Sequence, residues 1–141
     1  MKTVITGASG VVGTALTRLF LDGGHRVTGL GTAKVHPLQS MVHFKWLSAD
    51  TTVVGDWQSA VSDADVVVNL TGRTLFKRWS KAYKAQIVDS RILTTRNIVD
   101  AMTDEGKTLI STSAVGYYGS RGDQALSEDS PPGTDFLARL S

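Results

Sequence analysis

Cysteine is absent from the chain, proline is scarce, and neither sign of charge predominates. The absence of cysteine excludes disulfides and thiolate metal sites, and it leaves the redox compartment open. A formal net charge of only +2, scattered along the chain, gives no reason to expect a nucleic-acid partner. No apolar run is long enough to span a membrane, so we expect no membrane partner. A strand-like sequence directly after Met1 leaves no room for a signal peptide, and we expect a cytoplasmic protein.

The rest of the composition is ordinary. With 141 residues, 41% of them hydrophobic and 20% charged, the chain fits one globular domain. We therefore expect residues 1–141 to form a single domain, without internal repeats or low-complexity tracts.

A glycine-rich turn stands at the start of the chain. The apolar run before it, at 3–5, has the length of a buried parallel strand, and residues 14–21 show helical spacing. The turn at 6–13 reads Thr-Gly-Ala-Ser-Gly-Val-Val-Gly. Strand, glycine turn and helix in this order predict a dinucleotide-binding unit. The plainer interpretation is a tight strand–helix turn without a ligand.

Each glycine of the turn has a predicted role. Gly7 allows the sharp turn out of the strand, Gly10 lets a pyrophosphate approach the backbone, and Gly13 lets the helix pack close to the strand. The phosphates would lie at the helix N-terminus, on free N–H groups and the positive end of the dipole. The cofactor-binding residues predicted in this turn are Gly7, Ala8, Ser9, Gly10, Val11, Val12 and Gly13.

A local shortage of acidic residues bears on the choice of cofactor. In a dinucleotide fold, a carboxylate about 20 residues beyond the glycines binds the adenosine ribose hydroxyls. Here the second predicted strand, 26–30, is followed by no Asp or Glu up to residue 49, and Lys34 and His36 come just after it. A missing acid with a nearby cation favours NADP over NAD, because an acid would repel the additional phosphate. Alternatively, Lys34 is an ordinary surface lysine.

Two further strands are predicted, with polar residues at their ends. Residues 41–47 form the third strand. Asp50 after it would either accept a hydrogen bond from the adenine amino group or cap the following segment. Residues 65–70 are apolar and β-branched, as in a central parallel strand, and ligands bind beyond the carboxyl ends of such strands. The residues expected to contact the cofactor here are Leu70, Thr71 and Gly72.

Helices are predicted over 54–62 and 81–102. Apolar residues of the longer helix fall mostly on one stripe, and this helix is a candidate surface for a homodimer. Arg91 in its middle is expected to pack or pair rather than to act in catalysis. Asn69, at the end of the fourth strand, is expected to hold the sheet together by bonding the backbone of a neighbouring strand.

The fifth predicted strand, 107–112, ends in hydroxyl-bearing residues. Hydroxyls at the carboxyl end of a parallel strand face the same crevice as the glycine turn. Such residues often only bond the local backbone. Because several strand ends converge there, we favour a functional role and count Ser111 as cofactor-binding. Residues 120–133 are loop-like, and Asp135 is a candidate cap for a last helix.

Several motifs together resemble the extended short-chain dehydrogenase/reductase superfamily. They are the glycine turn at 6–13, Asn-Leu-Thr-Gly at 69–72, and Ser-Thr-Ser-Ala at 111–114. Other motifs are similar to those of the nucleoside-diphosphate-sugar epimerase-like family, also called the NAD-dependent epimerase/dehydratase family. These lie at Arg78-Trp79, Ser90-Arg91, 113–119, 126–133 and 135–138.

The resemblance covers the whole chain and implies a fold. The expected fold is α/β, a Rossmann-type doubly wound parallel sheet with strand order 3-2-1-4-5. The resemblance also implies NADP binding and, often, dimers. Because family members are typically much longer and carry a further C-terminal domain, the chain is expected to be an N-terminal part that ends before the substrate lobe.

The resemblance implies catalytic positions that this chain fills only in part. The superfamily transfers protons with a Tyr-x-x-x-Lys pair on the helix after the fifth strand, and a strand-end serine orients the substrate. That serine corresponds to Ser113. The tyrosine position falls on residues 136–137, which are Phe and Leu, and no lysine follows Lys107. Tyr117 has a matching spacing to Arg121 in a loop and is kept as a candidate proton donor.

Two functions from different classes stay open. One is the NADP(H)-binding domain of an epimerase- or reductase-like oxidoreductase, acting on a nucleotide-sugar-like or another carbonyl or alcohol substrate. The other is a non-catalytic NADP-binding sensor or scaffold. Relatives usually place an arginine for the NADP phosphate where this chain has Gly31-Thr32, which shifts that role to Lys34. A methyltransferase shares the strand–glycine–helix pattern but would need the missing acid.

Overall fold

The computed structural model describes residues 1–103 and 105–141. These residues form two compact units, Met1–Ser111 and Thr112–Ser141. The elements of the first unit are β1 (Lys2–Thr6), α1 (Val11–Asp22), β2 (Arg26–Gly31), β3 (Phe44–Ser48), α2 (Gln58–Ser62), β4 (Val66–Asn69), α3 (Lys81–Ala101) and β5 (Thr108–Ser111). Those of the second are a 3-10 helix (Val115–Tyr118) and α4 (Phe136–Leu140).

The five strands form one sheet in the order β3-β2-β1-β4-β5. All four neighbouring pairs are parallel, and Ile5 of β1 is in register with Gly29 of β2 and Val68 of β4. The predicted doubly wound order is therefore confirmed. Because every strand runs the same way, all five carboxyl ends lie along one edge of the sheet.

Apolar side chains alternate between two buried clusters, as expected for a sheet covered on both faces. One cluster combines strand residues with α2 and α3, and it includes Val4, Val67, Val61 and Ile98. The other includes Ile5 and Val68, and the half-buried Leu16 and Phe20 of α1 pack against it. Fully burying one such side chain stabilises the fold by about 1.5–3 kcal/mol. The two clusters therefore fix the sheet against its helices.

The third strand starts later than predicted. Residues 41–43 precede β3 in a turn, in which Met41 N–H donates to Leu38 O at 2.9 Å and Phe44 N–H to Met41 O at 3.2 Å. His43 has a φ of +67°, and a left-handed residue cannot continue a strand. The second helix also starts later, at Gln58 rather than at residue 54.

The long helix is confirmed, and its apolar stripe was predicted in part: Ile87 and Ile98 are fully buried. Ser80 caps it, accepting a hydrogen bond from Tyr83 N–H at 3.1 Å. Ile92 and Val99, expected on the apolar stripe, are exposed. Polar residues take their place on the buried face: the Thr94 and Thr51 hydroxyls lie 2.9 Å apart, and Asn97 Nδ2 donates to Thr51 O at 3.0 Å. The inner face is therefore partly hydrogen-bonded rather than wholly apolar.

The unit Thr112–Ser141 is built from turns, a 3-10 helix and one short α-helix. Asp135 caps α4 as predicted, accepting from Ala138 N–H at 3.0 Å. Gly133 N–H donates to Tyr117 O at 2.8 Å. A Cβ on Gly133 would lie 2.7 Å from Gly119 Cα, so the two glycines allow a close approach of two loop segments. Arg121 donates to the carbonyls of Tyr118 and Pro131 at 3.1 and 3.2 Å.

The described part of the chain contains no helix with the length and apolar character needed to cross a bilayer.

Candidate functional site

The glycine turn has the geometry that its spacing predicts. Gly7 has a φ of +68°, and a Cβ there would lie 2.8 Å from Leu70 O. A Cβ on Gly13 would lie 2.6 Å from Ala8 Cα and would also collide with Gly7 O. Glycine is therefore required at both positions, one for the turn and one for the close packing of α1 on it.

The N-terminus of α1 is open to an anion. Gly10 occupies the N-cap position in an extended conformation, with no side chain to cap the helix, and the first turn carries no acidic residue. The first N–H groups of a helix have no acceptor within the helix, and the dipole is positive at this end. Gly10 and Ser9 are exposed beside them. The site can therefore offer backbone donors to a phosphate.

A cleft of about 550 Å³ lies along the carboxyl edge of the sheet. It is bordered by the segments that follow β1, β2, β3 and β4 and by the N-terminal half of α3. Seven of the predicted cofactor residues line it, namely Gly7, Ser9, Gly10, Asp50, Leu70, Thr71 and Gly72. Its volume falls within the range of small-molecule sites.

Other predicted cofactor residues lie outside the lining of this cleft. Ala8 and Gly13 are buried in the turn, and Val11 and Val12 are exposed on α1. Lys34 is exposed after β2. Ser111, at the end of β5, lies with its hydroxyl 3.4 Å from Asn69 Nδ2. The roles of all six in cofactor binding stay predictions.

His36 is part of the core and not a surface cation. Its side chain is buried between the rings of Phe44 and Trp46, with centroids 4.9 Å away in each case. Its Nδ1 accepts from Leu38 N–H at 3.1 Å, and its Nε2 lies 3.0 Å from Ala8 O. An accepting Nδ1 leaves Nε2 as the donor, which is the neutral ring. Of the two residues named after the second strand, only Lys34 is therefore exposed to a ligand.

Asn69 has the structural role expected for it, with different partners. Its Oδ1 accepts from the Thr6 hydroxyl at 2.7 Å and from Thr71 N–H at 3.2 Å, and its Nδ2 donates to the Thr95 hydroxyl at 3.0 Å. The predicted partner was the backbone of a neighbouring strand. The observed partners tie β1, β4 and α3 together and fix the position of Thr71 at the cleft.

Asp50 forms a local turn at the end of β3. Its Oδ1 accepts from the backbone N–H and from the hydroxyl of Thr52, at 3.0 and 2.7 Å. The hydroxyl bond, then the backbone bond and the charge of Arg73 lower the pKa of Asp50 below its usual value. The capping interpretation thus has direct support, and the carboxylate still faces the cleft.

The Ser90-Arg91 motif of α3 holds the loop after β4. Ser90 Oγ accepts from Arg73 N–H at 3.0 Å. Both terminal nitrogens of Arg91 donate to Arg73 O at 3.3 Å, and Nη1 also donates to Ile87 O at 3.1 Å. A Cβ on Gly72 would lie 2.8 Å from Arg91 Cζ, so a glycine is needed beside the guanidinium. Arg91 is therefore a packing residue, as expected, and burial lowers its pKa.

Arg73 was not singled out from the sequence. It lines the cleft together with Lys77, Asp50 and Asp89, which are the other charged residues in the lining. The sequence showed only that a basic loop follows the fourth strand. What distinguishes Arg73 from its basic neighbours is the double contact of its peptide with α3, and that depends on residues 17 and 18 positions later.

The two candidate catalytic residues lie in the second unit. Ser113 and Tyr117 line a pocket of about 350 Å³ with Ala114, Val115 and Tyr118. Tyr117 is on the 3-10 helix, and its ring packs edge-on against Tyr118 at 5.1 Å. The guanidinium of Arg121, four residues after Tyr117, donates to backbone carbonyls. Arg121 is thus bonded to the loop backbone, which gives no support to a catalytic Tyr-x-x-x-Arg pair.

The described residues contain no group of three or more His, Asp or Glu side chains that would hold a metal ion.

The fold and the turn together define the class of protein. A parallel sheet of order 3-2-1-4-5, with helices on both faces and a glycine turn after its first strand, is a Rossmann-type domain. The chain belongs to the NAD dependent epimerase/dehydratase family, whose model matches residues 3–137.

Relatives and solved structures agree with this assignment. Epimerase family protein Mb2239 of Mycobacterium bovis is 39% identical over 96% of the chain and 44% of its own length. The human epimerase family protein SDR39U1 is 30% identical over 99% of the chain and 46% of its own length. The chain thus spans less than half the length of these relatives.

Two solved structures show the same fold over 99% of the chain. UDP-glucuronic acid 4-epimerase from Bacillus cereus, in complex with NAD, gives a TM-score of 0.81 at 23% identity over 48% of its length. Human SDR39U1 with NADPH gives a TM-score of 0.72 at 24% identity over 46% of its length.

Proposed function

We propose that this chain is the NADP(H)-binding domain of an epimerase- or reductase-like oxidoreductase. The observation that carries the proposal is the uncapped N-terminus of α1, which follows Gly10, carries no acid in its first turn, and borders the cleft. Family membership supports the same function, because relatives with this fold have been solved with NAD and with NADPH.

The residues of the cleft fit a dinucleotide. A pyrophosphate needs close access to backbone donors, and Gly7, Gly10 and Gly13 leave no Cβ over that backbone. Leu70 and Thr71 follow β4 on the other side of the turn, where a ligand at the carboxyl edge would pass. The lining also contains two cations, Arg73 and Lys77, to balance phosphate charge.

The preference for NADP over NAD rests on the end of β2. Gly31 and Thr32 line the cleft there, and neither has a carboxylate to bind a free ribose hydroxyl pair. The next acid in the sequence, Asp50, belongs to the turn after β3. An additional phosphate on the ribose would therefore meet no repelling charge from β2. Lys34 is the cation that the sequence offers for it.

A bound nicotinamide supplies hydride transfer, and the chain would supply orientation and a proton. From the family resemblance we propose that Ser113 orients a nucleotide-sugar-like or other carbonyl or alcohol substrate. Tyr117 is the candidate proton donor in the same pocket. Tyrosine hydroxyls are among the groups that transfer protons as general acids. Activity on such a substrate is proposed for the full-length protein.

The second candidate function is a dinucleotide-binding sensor or scaffold without turnover. It is favoured by Phe136 and Leu137, which occupy the expected tyrosine position and cannot transfer protons. A scaffold would also use a dimer surface. The outer face of α3 exposes Ile92 and Val99, and we propose it as that surface.

The test is calorimetric titration of the chain with NADPH and with NADH. We expect micromolar binding of NADPH and weaker binding of NADH. Gly10→Val, which puts a side chain at the N-cap of α1, should weaken both by about 1.4 kcal/mol or more, a tenfold change. Gly55→Ala is the matched control, since a Cβ there would make only ordinary contact with Trp57 and Gly55 lies outside the cleft. Absence of binding at millimolar nucleotide would contradict the proposal.

A further inference from the structure

The loop after β4 contains Arg73, and hydrogen bonds fix both the backbone N–H and the carbonyl of this residue. The N–H of Arg73 donates to Ser90 Oγ at 3.0 Å, and its carbonyl accepts from both terminal nitrogens of Arg91 at 3.3 Å. These bonds use main-chain atoms only. The guanidinium of Arg73 is exposed and borders the cleft. A fixed backbone with a free charged end is the arrangement of a side chain that is positioned for a ligand.

The charge of Arg73 acts toward the adenosine side of the cleft. The hydrogen bonds from Thr52 lower the pKa of Asp50, which follows β3, and the charge of Arg73 adds a smaller lowering. The strands β2 and β3 lie on the same side of β1, and the adenosine ribose of a dinucleotide bound at a β1 glycine turn lies at the end of β2. Gly31 and Thr32 at the end of β2 line the same cleft as Arg73, so the guanidinium borders the space in which that ribose would lie.

The other basic residues near the cleft are placed less favourably. Lys34 is exposed and lies outside the lining of the cleft. Lys77 is in the lining, but its ammonium lies 5.9 Å from the centre of the Tyr83 ring, in a cation–π arrangement. Arg73 also has the better chemistry, because a guanidinium binds a phosphate through two parallel hydrogen bonds, whereas an ammonium acts as a point charge.

We propose that Arg73 binds the 2′-phosphate on the adenosine ribose of NADP(H), and that Ser90 and Arg91 position it. The inference rests on the proposed dinucleotide site and assigns the residue that selects between the two cofactors. Relatives usually place the phosphate-binding arginine after β2, where this chain has Gly31 and Thr32. In this chain the arginine would come from the loop after β4.

The experiment titrates NADPH and NADH into the whole chain and four variants. Arg73→Ala should weaken NADPH by about tenfold or more, because a charge-assisted bidentate contact is lost. It should change NADH by less than about twofold, since NADH has no phosphate at that position. Arg73→Lys should fall between wild type and Arg73→Ala for NADPH. Arg96→Ala removes an exposed arginine of α3 outside the cleft and is the matched control, and Lys34→Ala tests the competing residue.

Any other result contradicts either the role of Arg73 or the proposed function, as follows. Equal weakening of both nucleotides by Arg73→Ala would mean a pyrophosphate contact, and the selective role would be wrong. A loss of selectivity in Lys34→Ala alone would also overturn the inference. If wild type binds neither nucleotide, the proposed function itself fails, which is a distinct outcome. Thermal melting of each variant tests whether it is folded. Phosphorus NMR gives a second readout: the signal of the 2′-phosphate should shift when NADPH binds wild type or Arg73→Lys, but not when it is added to Arg73→Ala.

Discussion

Each of the two units contains a pair of glycines that lets two backbone segments approach closely, but the surroundings of the two pairs differ. In Met1–Ser111, Gly7 and Gly13 bring β1, the turn and α1 into close contact beside two buried apolar clusters. In Thr112–Ser141, Gly119 and Gly133 bring two loop segments equally close. Of residues 112–141, all of which the structure describes, Ala138 alone is buried. The close approach is thus supported by a core in one unit and by backbone hydrogen bonds in the other.

This difference determines how much stability is lost when the two backbone segments of each pair are forced apart. In the first unit the turn cannot widen without moving a strand and a helix, whose side chains are locked in the core. In the second unit the segments can separate at the cost of a few exposed hydrogen bonds. We therefore expect substitutions in the first turn to act on the whole fold and those in the second to act locally.

The largest expected effect is that of Gly13→Ala. The added Cβ would lie 2.6 Å from Ala8 Cα and would collide with Gly7 O, both of them backbone atoms that cannot rotate away. Overpacking of this kind should lower the free energy of unfolding by about 3 kcal/mol. Urea denaturation followed by circular dichroism measures it.

Gly55→Ala serves as the control for that measurement. A Cβ on Gly55 would meet Trp57 at an ordinary 3.5 Å, so the change should stay within about 0.5 kcal/mol. If Gly13→Ala cost no more than Gly55→Ala, the first turn would be as adaptable as the loops of the second unit.

Asn69→Ala comes next. It leaves the buried Thr6 hydroxyl without its acceptor and removes the bonds to Thr95 and Thr71. We expect a loss of about 2 kcal/mol in the free energy of unfolding, the cost of unsatisfied buried groups. Ser111→Ala, which removes only a 3.4 Å contact with Asn69 Nδ2, should cost less than about 0.5 kcal/mol. Similar losses from the two variants would contradict the central role of Asn69.

The smallest and most local effect is expected for Gly133→Ala. Its Cβ would lie 2.7 Å from Gly119 Cα, so the two segments must separate and the bond from Gly133 N–H to Tyr117 O is lost. Amide hydrogen exchange within 115–133 should rise about tenfold, while exchange in β1 and β4 stays unchanged. Ser120→Ala, at an exposed residue, should leave both unchanged. Faster exchange in β4 would show that the units unfold together.

The fold followed from the sequence where local signals and packing agree. The run at 3–5 and the β-branched strand at 65–70 became β1 and β4, and the strand order was as predicted. The start of β3 was missed because His43 takes a left-handed conformation that its residue type does not reveal. The apolar stripe of α3 was misjudged because Thr94 and Asn97 are buried with hydrogen-bond partners from another segment.

At the candidate site, the backbone conformation could be predicted from the sequence, but the surroundings of the charged and titratable side chains could not. Gly7 and Gly13 could be assigned from spacing, because steric requirements depend on near neighbours in the chain. The environment of a charge depends on distant residues. His36 is a core residue because its ring contacts Phe44, Trp46 and Ala8 O, and the backbone of Arg73 is fixed at the cleft because α3 holds its peptide.

The hydrogen bonds by which Arg91 holds the loop should depend little on ionic strength. Its bonds go to the carbonyl dipoles of Arg73 and Ile87 from a half-buried position. Dissolved salt screens exposed charges beyond about 8 Å at physiological concentration, and it affects short, partly buried hydrogen bonds much less. An exposed guanidinium that binds a phosphate belongs to the screened kind. If Arg73 binds the 2′-phosphate as proposed, concentrated salt should weaken nucleotide binding while the bonds of Arg91 keep the loop in place, so that binding is restored on dilution.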